Sequence, residues 1–118
     1  MDGSILNTVK HGIGGIEDND TSFDDEIIPL INTFLNELVQ MGVGLRDFTI
    51  SGSTATWSDF LGSDLPHLQA AMTYVTLQTK MLFDPPSNSY VMQNISKKCD
   101  EISWRLNAEM DPGSEGLY

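Results

Sequence analysis

Basic residues are scarce in this chain: six Lys and Arg stand against 17 Asp and Glu, for a formal net charge of −11 over 118 residues. Each phosphate contact of a nucleic-acid binder needs a cation, so this balance argues against binding by phosphate neutralisation. It disfavours docking on an anionic membrane surface for the same reason. The single cysteine, Cys99, permits neither an intrachain disulfide nor a cysteine-based zinc site. The two histidines, His11 and His67, are isolated and belong to no H-E-x-x-H or H-x-E pattern. No run of about 18 apolar residues occurs, so no membrane-spanning helix is predicted. The opening residues MDGSILNTVKHG carry an acid and no long apolar run, unlike a signal peptide. A soluble protein made and kept in a reducing cytoplasm is expected.

Apolar residues make up 40% of the chain, enough for a folded core rather than global disorder. A domain of this length nevertheless buries only about two-thirds of its unfolded surface. Self-repulsion from the net charge adds to that weakness. Assembly into something larger would relieve both.

The periodicity predicts a mainly α protein, a small helical bundle of three longer helices plus a short N-terminal one, with one β-hairpin. The domain is expected over residues 1–110 and a flexible acidic tail over 111–118. Ser4 can cap a short helix through His11, with Ile5, Leu6 and Val9 as its stripe and Gly12 as its end. Gly12, Gly14 and Gly15 then read as a flexible joint. The run Glu17 to Glu26 holds six acids in ten residues.

The second helix is expected from Asp24 to Met41, with Ile27, Ile31, Phe34 and Leu38 inward and three acids at the positive end of its dipole. Pro29 predicts a kink, or a regular part that starts near it. Residues 48–57 alternate cleanly around Gly52-Ser53 and predict a hairpin, with Phe48, Ile50, Ala55 and Trp57 on one side.

A third helix, capped by Asp64 with Pro66 in its first turn, should bury Leu68, Met72, Val75, Thr79 and Leu82. Asp84-Pro85-Pro86 stops it. The last helix, capped by Ser87, Asn88 or Ser89, carries Val91, Ile95, Cys99, Ile102 and Leu106 inward, and the tight corner predicts an antiparallel pair.

No catalytic constellation emerges, so neither an enzyme nor a cofactor is predicted. The acidic run fails as a calcium loop, because Phe23 and Pro29 stand where the sixth-position Gly and twelfth-position Glu are required. Gly12-Ile13-Gly14-Gly15 follows no strand and is not a phosphate-binding turn. Cys99, on the inner face of its helix, reads as an inert core thiol. Arg105 lies four residues from both Glu101 and Glu109, a surface pairing worth a few tenths of a kcal/mol. Tyr74, Met81, Tyr90, Met92 and Trp104 are left over as surplus apolar area, of the composition found at subunit contacts.

Several segments carry a resemblance. They are Ser4-Ile5-Leu6-Asn7-Thr8-Val9-Lys10, Phe23-Asp24-Asp25-Glu26-Ile27-Ile28, Gln40-Met41-Gly42-Val43-Gly44 and Trp57-Ser58-Asp59-Phe60-Leu61. Tyr74-Val75, Leu82-Phe83-Asp84-Pro85-Pro86-Ser87 and Glu101-Ile102-Ser103-Trp104-Arg105-Leu106-Asn107 follow. In this order and spacing the chain, over residues 4–108, resembles the head–tail connector (adaptor, or neck) proteins of tailed bacteriophages of Gram-positive hosts.

The resemblance implies a structural virion protein, assembled in the host cytoplasm and placed in the neck between head and tail. Commonly twelve copies form a ring beneath the portal protein and above the next neck or tail completion protein. The ring extends the DNA channel for genome retention and ejection, and DNA passes without specific binding. The resemblance implies no enzymatic role and no cofactor. Phe83, Asp84, Pro85 and Pro86, with Trp104 and Arg105, are the expected structural corner and subunit contact, and Leu117 and Tyr118 the expected portal-docking residues. Two other classes share the composition: an acidic inhibitor that mimics DNA, and a helical adaptor or chaperone. A DNA mimic needs acids spaced along a face like phosphates, whereas six of the 17 are bunched in one loop.

Overall fold

The computed structural model describes residues 3–110. Among them are five α-helices in the order α1 (Ile5–Gly14), α2 (Asp24–Gln40), α3 (Trp57–Leu61), α4 (Leu68–Phe83) and α5 (Ser89–Met110), with a 3-10 turn at Leu65–His67 before α4. The predicted tail at 111–118, with Leu117 and Tyr118, lies outside the described residues.

Ser4 begins α1, its Oγ accepting the Asn7 N–H at 3.2 Å. The helix runs past Gly12 and ends where Gly15 turns left-handed at φ 67° and donates its N–H back to the last carbonyls. The predicted stop at Gly12 is thus corrected by one turn. Gly12 is a packing position, because a Cβ there would run into the Thr76 methyl on α4. Helix backbones approach this closely only where a side chain is missing.

Helix α2 keeps the predicted inner face, with Ile27, Ile31, Phe34, Leu35 and Leu38 buried. It runs continuously through Pro29. Asp25, whose carbonyl loses its donor to the proline ring, is exposed, so water can meet that group.

The hairpin at 48–57 is not formed: no β-strand occurs among the described residues, and Ser4 and Thr56 make only an isolated antiparallel bridge. Other partners take the backbone groups that a hairpin would have paired. The Asn32 side chain accepts the Ile50 N–H at 2.8 Å and donates to the Ile50 carbonyl at 3.1 Å. Ile5 N–H donates to the Ala55 carbonyl at 3.0 Å, and Trp57 N–H to the Gly3 carbonyl at 3.3 Å. Thr56 and Asp59 form a reciprocal capping box, which makes Trp57 the first residue of a helix and not the end of a strand. Trp57 is fully buried, with its indole N–H on the Thr8 hydroxyl at 3.2 Å. Phe48 packs on Phe60, their ring centres 5.3 Å apart, instead of facing Trp57.

The Asp64 carboxylate holds the His67 ring nitrogen at 2.7 Å, and the chain enters α4 through the 3-10 turn. Helix α4 is central: α1, α2 and α5 all pack on it. Its buried residues are Ala71, Tyr74, Val75 and Thr79. The predicted stripe is therefore rotated, since Tyr74 is core while Leu82 is 62% exposed. Tyr74 lies edge-on to Phe34 and donates its hydroxyl to Glu37 Oε1 at 2.6 Å.

Asn88 caps α5, accepting the Tyr90 and Val91 N–H groups at 2.8 and 3.3 Å. Cys99, Ile102 and Leu106 are buried as predicted and Ile95 packs against the core, but Val91 is exposed, so the stripe reaches the core from Ile95 onward.

Two outcomes follow for stability. In an open helix Gly→Ala gains about 1 kcal/mol. At Gly12 the methyl meets Thr76, and overpacking costs about 1–3 kcal/mol. Gly12→Ala should therefore lower the thermal midpoint, while Gly14→Ala, whose Cβ finds only Asp84 Oδ2 at 3.8 Å, should not. Scanning calorimetry of the two variants checks this. Burial, then the Glu37 carboxylate, pushes the Tyr74 phenol up to about 12. Because the folded state favours the neutral phenol, its contribution is intact below the ordinary tyrosine value of about 10 and is lost as pH rises towards 12. Urea midpoints measured from pH 9 to 12 should fall less steeply for Tyr74→Phe than for the natural chain.

Candidate assembly surface

No group of three or more metal-ligating side chains occurs among the described residues. Cys99 is buried, and burial pushes its thiol up to about 11, which suits an inert core residue and not a nucleophile. What the fold presents instead is surface, in three places along the α4–α5 pair and the loop before α2.

The first place is the corner. Asp84 closes α4 by donating its N–H to the Lys80 carbonyl at 2.9 Å, and Pro85 and Pro86 prevent any continuation. Phe83 lies edge-on to Phe23, ring centres 5.6 Å apart, and so joins the corner to the start of α2. Around it Leu82 and Tyr90 are 62% and 70% exposed.

The second place is a groove of about 400 Å³ between the start of α4 and the second half of α5. Pro66, His67, Gln69, Ala70 and Thr73 form one wall, and Lys98, Ile102, Arg105 and Leu106 the other. The start of α4 thus faces the end of α5, and the pair is antiparallel as predicted. Trp104, also on α5 but not lining the groove, is 74% exposed. Arg105 and Lys98 each reach Glu101 Oε1 at 3.4 Å.

Phe83 to Pro86, expected as the structural corner and subunit contact with Trp104 and Arg105, stand just before α5, whereas Trp104-Arg105 lie in its second half, about 25 Å farther on at 1.5 Å per residue. The corner and the Trp104 region are therefore two surfaces.

The third place is the acidic run, Glu17 to Glu26, which spans the loop before α2 and the first turn of that helix. Its organiser is Lys10, a residue that composition alone does not single out. Lys10 is only 1% exposed, with Nζ 3.1 Å from Asp24 Oδ1 and donating to the Asp18 carbonyl at 3.3 Å. The available signal was positional, because Lys10 lies four residues after Leu6 and three before Ile13, on the apolar stripe of α1. His11 Nε2 reaches Asp18 Oδ1 at 2.6 Å. Ser22 N–H donates to Asp20 at 3.1 Å, and hydrogen bonds from Ser22 hold that carboxyl below its usual range. Glu17, Asp25 and Glu26 remain exposed.

No helix among the described residues is long and apolar enough to cross a membrane. Neither a curated protein nor a solved structure matches the chain. A family model does: with residues 5–113 matching it, the chain belongs to the phage connector protein family.

Proposed function

We propose that this protein forms a ring between the portal and the tail of a phage particle, where it extends the DNA channel. Its membership of the phage connector family over residues 5–113 carries this reading. The family is structural and non-enzymatic. Assembly with other virion proteins follows from that membership, and the ring, its twelve copies and the neck position are proposed beyond it.

Two physical features support it. Tyr90, Trp104 and Leu82 expose large apolar side chains on α4 and α5, of the kind enriched in interface cores. The net charge of −11 repels phosphates, so a channel lined by such subunits lets DNA slide rather than holding it. In this arrangement the corner Phe83–Pro86 fixes the angle of the α4–α5 bracket. The segment 111–118, through Leu117 and Tyr118, docks on the portal, and the opposite side of the ring meets the next neck or tail protein.

The test is a pull-down of the tagged chain with the portal ring of its phage, followed by negative-stain imaging. The expected result is a second ring of density stacked on one end of the portal. Absence of portal binding, together with displacement of DNA from a nuclease or repressor, would overturn the reading in favour of a DNA mimic. Deletion of residues 111–118 should reduce portal association at least tenfold; unchanged association would remove the docking role of Leu117 and Tyr118.

A further inference from the structure

Exposed apolar side chains are concentrated at one end of the bundle. Among the described residues six large apolar side chains are exposed, and four of them are Phe23, Leu82, Tyr90 and Val91. Leu82, Tyr90 and Val91 flank the α4–α5 corner, and Phe23 joins it through its contact with Phe83. Leu82 continues the row of Val75 and Thr79 on α4, and Val91 the row of Cys99, Ile102 and Leu106 on α5, all of them buried. The core pattern thus runs on to the corner without a cover of its own. Large apolar side chains grouped in one place and rimmed by polar groups mark an interaction site.

The rim here is acidic. The run Glu17 to Glu26 supplies six acids on the Phe23 side. Asp84 adds another beside the end of α1, its Oδ2 3.8 Å from where a Gly14 Cβ would lie. The two lysines of this end are engaged within the chain, Lys10 with Asp24 and Lys80 with the Ile13 carbonyl at 3.1 Å. Glu17, Asp25, Glu26 and Asp84 remain exposed. The exposed basic residues elsewhere, Arg46, Lys97, Lys98 and Arg105, each lie within four residues of Asp47, Asp100 or Glu101. A second copy therefore offers no basic surface to match this rim, and like charges set against each other cost several kcal/mol.

The corner stands before α5, and the segment 111–118 follows its last residue, Met110. With 22 residues the helix is about 33 Å long. The segment proposed to dock on the portal thus leaves the subunit a full helix length from the corner.

We infer that the corner end receives the next neck or tail protein, through a segment of that partner whose apolar side chains are flanked by Lys or Arg. This assignment rests on the ring reading above, with the portal held from the other end of α5. The partner's apolar side chains pack on Leu82, Tyr90 and Val91, and its cations meet Asp25, Glu26 and Asp84. The buried apolar centre holds the contact, while the charges steer it and turn away further copies of the same acidic chain.

The experiment assembles the full chain on the portal ring of its phage and then adds the purified neck protein that follows it. Leu82→Ser with Tyr90→Ser should leave the ring on the portal and lower uptake of the neck protein at least tenfold. Asp25→Lys with Asp84→Lys, made separately, should do the same. Uptake unchanged in both variants overturns the assignment, and so does loss of the ring from the portal in variants that keep the natural thermal midpoint. A photoreactive benzophenone amino acid at position 90 keeps an aromatic ring there and reads the contact without removing it. Irradiation should join it to the neck protein, within an apolar stretch flanked by Lys or Arg. An adduct with the portal or with another copy of this chain overturns the assignment, as does a portal-bound natural ring that takes up no neck protein. A natural chain that builds no ring on the portal overturns the ring reading itself.

Discussion

The constraint on which the structure depends is that α4 has to be covered on several sides at once. Helices α1, α2 and α5 all rest on it, so its sequence cannot show a single narrow apolar stripe with a polar back. Small side chains make this possible. Ala71 lies wholly inside, and the missing side chain of Gly12 on α1 leaves room for the Thr76 methyl. Larger residues at these points would push α1 or α5 outward and open the core. Tyr74 belongs to the same economy of space: its ring fills the gap towards Phe34 while its hydroxyl keeps a polar partner in Glu37.

A second constraint acts on charge. An ammonium group almost wholly removed from solvent is costly unless it is paired and hydrogen-bonded. Lys10 meets that requirement through Asp24 and the Asp18 carbonyl. The acidic run is therefore a folded feature and not merely a solvated linker. Its backbone is drawn against the end of α1, and the remaining carboxylates are presented outward from a fixed frame. The same residues thus hold the loop and expose it.

The helical architecture was legible in the sequence where one local signal dominated. Ser4, Asn88 and the Asp84-Pro85-Pro86 corner act as written, and α2 buries the predicted side chains. Family membership was legible too, because its signals are spread over most of the chain. The hairpin was misread for a physical reason. Alternation at 48–57 records which side chains point inward, but it cannot say which partners satisfy the backbone. Asn32, 18 residues away, and the start of α1 do so. The stripe of α4 was misassigned because periodicity assumes one buried face. The corner Phe83–Pro86 precedes α5 and Trp104-Arg105 lie in its second half, so the fold presents them as two separate parts of the surface. Lys10 escaped notice because a lysine on an apolar stripe is usually read as a snorkelling surface residue.

The Asn32 side chain has a consequence for how copies of this chain can meet. By holding both polar groups of Ile50, one amide does the work of a neighbouring strand. An extended segment with alternating apolar residues ordinarily presents an open row of donors and acceptors, a template for edge-to-edge polymerisation. Here the row is closed from within, and no strand edge exists among the described residues. Copies crowded together must then recognise one another through side chains, whose shape and charge distinguish one register from another. Backbone ladders, which any extended chain can join, are denied the opportunity.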